Sequence, residues 1–113
     1  MDKIAKIKSV MRKLGITPDL KGYHYTEKAV IMLNDDFEAG NMPRGTTKIY
    51  NEIGNLFGKN AASVERCIRH SLDVARCNET ELFGYLFGNL KTVTVSNFIS
   101  VIAEHIRYLE SEE

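Results

Sequence analysis

Cysteine is scarce in this chain: Cys67 and Cys77 are the two among 113 residues. They stand ten apart without CxxC spacing, which argues against a zinc ribbon or a thioredoxin-like pair and leaves buried or inert thiols. Proline and glycine are few as well, at two and eight, so neither a disordered nor a repetitive chain fits. No apolar run approaches the roughly 20 residues that span a bilayer, and the start MDKIAKIKSV lacks the apolar core of a secretory signal. No membrane partner is expected, and the cytoplasm is the expected location. His24, His70 and His105 have no paired-ligand spacing, so no metal is expected. GxGxxG, GxxxxGK[ST] and GxSxG are all missing, and no nucleophile stands near a recognisable base; the expectation is a non-enzyme without cofactor. Net charge is also missing, since 15 basic residues balance 15 acidic ones. A balanced sum gives no support by itself to a nucleic-acid partner.

What is present is apolar periodicity. With 43% apolar residues and the length of one ordinary domain, residues 1–113 are expected to fold as a single unit. Ile4, Ile7, Val10, Met11 and Leu14 form one helical stripe that stops at Gly15. A second helix is predicted over about 22–38, with Tyr25, Ala29, Met32, Leu33 and Phe37 inward. A third is predicted over 46–57, with Ile49, Ile53, Leu56 and Phe57 apolar, breaking at Gly58-Lys59. The fourth starts near Ala61 behind Asn60, whose side chain suits an N-cap. A short fifth is predicted over 79–87. Val93 and Val95 alternate with threonines, but no partner strand exists elsewhere, so 91–95 reads as a loop. Ser96 is the predicted cap of a final helix carrying Phe98, Ile99, Ile102, Ile106 and Leu109. The fold class is therefore all-α, about six helices, with a winged-helix-like three-helix core and no wing.

The fourth helix carries the functional signal. At 100° per residue, Val64, Cys67, Ile68, Ser71, Leu72, Val74 and Ala75 fall in one arc, and Glu65, Arg66, Arg69, His70, Asp73 and Arg76 in the opposite one. Charge is distributed unevenly along the chain. Residues 59–76 hold Lys59, Arg66, Arg69 and Arg76 against Glu65 and Asp73, whereas the last 35 residues hold six acids against Lys91 and Arg107. A short helix, a glycine turn and a second helix with a basic outer face make a helix-turn-helix over about 50–77. Helix 61–77 is then the element that enters the major groove. Arg suits guanine O6 and N7, Glu the cytosine amino group, and His or a second Arg a phosphate. Glu65, Arg66 and Arg69 are expected to read bases, with Lys59, His70 and Arg76 on the backbone.

The string VERCIRHSLDVA (residues 64–75) resembles the recognition helix of the C-terminal effector domain of the stage-zero sporulation response regulator of spore-forming Firmicutes. The resemblance extends to LGITPDLKGYHYTEKAV (14–30), ELFGY (81–85) and SNFISVIAEHI (96–106), four blocks in the family's order. It implies a six-helix domain that binds TGTCGAA-type boxes, usually in tandem and so with a homodimer on DNA, and that touches the main sigma factor of RNA polymerase through a region near 83–95. Glu65, Arg66, Arg69 and His70 match the family's Glu, Arg, Arg and His. Ser63 stands where the family carries an Arg, and Asn60 replaces its capping Thr. The phosphoacceptor receiver domain that precedes this one in the family is not among the 113 residues, which leaves an excised domain or a free-standing relative. The alternative function is a helical interaction module that pairs with a regulator or sigma factor as a modulator or antagonist; Ser63 and the zero net charge point that way.

Overall fold

The computed structural model describes residues 2–113. Six helices follow in order: α1 (Lys3–Lys13), α2 (Lys21–Glu38), α3 (Thr46–Phe57), α4 (Ala61–Asn78), α5 (Glu81–Phe87) and α6 (Val95–Ser111). There is no strand, and hence no wing, among the described residues. Residues 91–94 are irregular, as their lack of a pairing partner predicts. The central element is α2, which packs on α1, α3, α4 and α6. Together α2, α3 and α4 form the three-helix core, and α6 closes it with fully buried Phe98, Ile99, Ile102 and Ile106.

Two helix starts differ from the sequence expectation. Glu79 does not open α5; it ends α4 in the left-handed region at φ 48°, and Thr80 caps α5 by accepting from Phe83 N at 3.2 Å. Thr94, rather than Ser96, caps α6. Its hydroxyl accepts from Asn97 N at 3.0 Å while the Asn97 side chain accepts from Thr94 N at 3.2 Å. This reciprocal pair satisfies two end groups at once, where a serine two residues later would satisfy one. Four predicted core residues also lie outside. Ile4, Phe37, Leu56 and Phe57 are exposed, each within about a turn of a helix end, where the stripe outruns the neighbouring helix. Phe37 is covered in part by the Arg107 guanidinium, 4.3 Å from its ring centroid, and Phe57 by Tyr25 at 5.1 Å.

Three contacts set where α3 and α4 lie. Gly22 of α2 touches α4 so closely that a Cβ there would stand 2.1 Å from the Cys67 carbonyl oxygen and 2.2 Å from Ser71 Oγ. At the far end of α4, Asn78 Nδ2 donates to the Gly15 carbonyl at 3.0 Å. In the loop between α2 and α3, Arg44 binds both Asp36 oxygens through its side chain, at 2.8 and 2.6 Å, and reaches Glu52 at 2.5 Å. The Arg44 pairing holds the Asp36 carboxyl down at about 2. One guanidinium thus fixes the end of α2 to the body of α3.

Candidate nucleic-acid interface

The turn between α3 and α4 is built from glycine. Gly58 ends α3 at φ 68°, a conformation that costs other residues strain. The Lys59 N–H then returns to the Gly54 carbonyl at 2.9 Å, the closure typical of a helix that stops abruptly. A Cβ on Gly54 would lie 2.3 Å from the Lys59 carbonyl oxygen, so the turn is as tight as it is because that position has no side chain. Asn60 follows and caps α4, its Oδ1 accepting from Ser63 N at 2.8 Å. The predicted cap and turn are both present.

Beyond the cap, α4 buries Val64, Ile68, Ser71, Leu72 and Ala75 and turns Arg66, Arg69, His70, Asp73 and Arg76 to solvent. Positions 66, 69 and 70 share one face, since residues three and four apart are neighbours on a helix. Lys59 is exposed at the turn beside them, and Ser63 is half-buried in the first turn of α4. Among the described residues, the side chains of Lys59, Arg66 and His70 have no hydrogen-bonded or ionic partner. Their donors are unspent.

Two other predicted positions are engaged. The Arg69 guanidinium donates from Nη2 to Glu65 Oε2 at 2.8 Å. Arg76 donates to Asp73 at 3.2 Å and to the Val93 carbonyl at 3.4 Å. It stands at the rim of a cleft of about 300 Å³ between α4 and residues 92–95. So the predicted set is spread along α4: 59, 60 and 63 lie at its start, 66, 69 and 70 follow into its middle with Glu65 beneath Arg69, and Arg76 lies two turns beyond Arg69, lining the same cleft against the segment that leads into α6.

Tyr50 of α3 is half-buried, and the sequence pattern did not single it out. Burial raises its phenol pKa and the Glu65 charge raises it further, with the Arg69 charge opposing both. A tyrosine at the third helix's midpoint gives no signal of this kind until α3 and α4 are docked.

The basic α1 is a different case. Lys3, Lys6 and Lys8 are paired with Glu38, Glu113 and Glu27, so most of its cationic face is neutralised within the protein. A solvated, ion-paired face describes it better than a phosphate-binding one. The same pairing puts Glu113 of the acidic tail on α1, which packs with α2 and α6.

A protein-family model described as "Sporulation initiation factor Spo0A C terminal" matches residues 7–106. The match takes in all of α2 to α5 and most of α1 and α6.

Proposed function

The chain belongs to the Spo0A C-terminal family, a family of DNA-binding sporulation transcription factor domains and not of enzymes, and we propose that it binds a TGTCGAA-like box sequence-specifically with α4 in the major groove. The observation that carries this reading is the row Arg66, Arg69 and His70, facing solvent from the first turns to the middle of a helix held by an Asn60 cap and a glycine turn. Arg66 and Arg69 present planar guanidinium groups suited to guanine edges. Lys59 and His70, on either side, reach the phosphate backbone. Asn60 and Ser63 bring the start of α4 with its free N–H groups against a phosphate, where the helix dipole favours negative charge. Arg76 contacts the backbone by exchanging its long Val93 bond for a phosphate. Residues 83–95, with Tyr85 and Leu90 exposed, are the surface for the sigma factor, and a second copy binds on a tandem box. The setting is cytoplasmic control of sporulation or a related stationary-phase programme.

A mobility-shift titration tests the reading. Binding in the nanomolar range is expected for a TGTCGAA duplex at moderate salt, with a scrambled duplex bound at least about a thousandfold more weakly. Equal binding of the two would sink it. The second reading is a helical module that works through a protein partner, and the exposed Tyr85, Leu90 and Tyr108 favour it. The double variant Arg66→Ala, Arg69→Ala separates them: loss of regulation in a folded protein supports DNA reading, and retained regulation supports the module.

A further inference from the structure

Glu65 stands out on the charged face of α4. A carboxylate beside a phosphate backbone is repelled by it, so its place among Arg66, Arg69 and His70 calls for a physical reason. A direct role would be to accept from a cytosine amino group, and that needs an oxygen turned to the groove. Neither Glu65 oxygen meets this requirement. Oε2 is taken by Arg69 Nη2 at 2.8 Å, and Oε1 is enclosed by protein with no hydrogen-bond partner. The side chain is 28% exposed, against 61% for Arg69. The acid lies low and the base stands above it.

The order of the pair also matters. An acid four residues before a base is the favoured arrangement on a helix, but an exposed pair of this kind adds little to folding stability. Its effect falls on the arginine. A free arginine side chain samples many rotamers and loses that freedom when it binds, whereas one already bonded through a single Nη enters the complex oriented, with its other N–H groups free.

We infer that Glu65 is a positioning residue: it holds the Arg69 guanidinium ready for a guanine edge and does not itself read a base. The inference rests on the DNA-binding reading above and narrows it to two base-reading arginines, one of them pre-set.

A double-mutant cycle on the full chain decides it, using the TGTCGAA duplex, its single-base variants and a scrambled control. Arg69→Ala is expected to weaken binding about tenfold or more. Glu65→Ala should weaken it severalfold when Arg69 is present and by less than about twofold in the Arg69→Ala background, because the acid acts only through the arginine. The order of preference among single-base variants should be unchanged by Glu65→Ala. Equal losses with and without Arg69, or relaxed discrimination confined to one C·G pair that Arg69→Ala leaves intact, would overturn the inference while leaving the DNA reading standing. A wild-type chain that fails to prefer the box over the scrambled duplex overturns both. Glu65→Gln keeps the shape, removes the charge and carries the same cycle should Glu65→Ala fold poorly.

Discussion

Glu79 is the one non-glycine residue with positive φ among those described, at 48°. Left-handed backbone crowds a Cβ against the carbonyl, and the end of α4 would ordinarily carry glycine or asparagine there. Glu79→Gly is therefore expected to raise stability by about 0.5–1 kcal/mol, since relief of the strain exceeds the added freedom of the unfolded chain. Urea unfolding checks this, with Glu79→Ala, which keeps the Cβ, as the control that leaves stability nearly unchanged. Asp36 gives the other residue-scale expectation. Its carboxyl is held at about 2 against an ordinary 3.8, chiefly by the Arg44 side chain, so its contribution is complete above about pH 4 and is lost as pH falls through 2. The difference in urea midpoint between the wild type and Asp36→Asn should shrink across that window. A difference constant from pH 5 down to 2 would refute the assignment. At this scale the sequence was legible where the partner is local: Asn60 and Ser63 are three apart, and the cap could be read directly. The same local chemistry was misread at Ser96, because the choice between Thr94 and Ser96 turns on the Asn97 side chain reaching back.

Among the helices, the α2–α4 crossing matters most to the interface. Gly22 permits it, and an added methyl would press on the Cys67 carbonyl of α4. Alanine in place of a helical glycine gains up to about 1 kcal/mol of propensity, while overpacking against backbone costs about 1–3 kcal/mol or more. The second effect wins at a gap of 2.1 Å. Gly22→Ala should lower stability and weaken box binding together, read by thermal unfolding and by the mobility shift; an unchanged melting midpoint would show that the helices separate without cost. Periodicity made all six helices visible beforehand, because a stripe repeats within one segment. It left the close crossing unseen, since Gly22 is informative only when Cys67 and Ser71 are known to face it. Phe37 shows the converse. Its position on the stripe pointed inward, but α2 runs past the core there and Arg107 covers the ring instead.

Across the whole molecule, the charges are sorted, although their sum is zero. Among the described residues, Lys59 and Arg66 stand unpaired at the α3–α4 turn and on the outer face of α4, whereas Lys3, Lys6 and Lys8 of α1 are neutralised by Glu38, Glu113 and Glu27. Salt dependence of binding should follow the cations of the α3–α4 turn and the outer face of α4 rather than the paired lysines of α1. Lys59→Ala is expected to flatten the slope of log Kd against log salt by about one, and Lys8→Ala to leave it unaltered. A Lys8 variant with the larger effect would show that α1 lies on the DNA. Which cations were available could not be read from composition, because pairs such as Lys3 with Glu38 join residues far apart in sequence. Finally, α4 is gripped along its length, by the Asn60 cap, by Gly22 and by the bond from Asn78 to Gly15. A helix mounted in this way needs no folding on meeting a partner. On the proposed binding mode, the heat capacity change of association should report the surface that the two partners cover, without a helix-folding component.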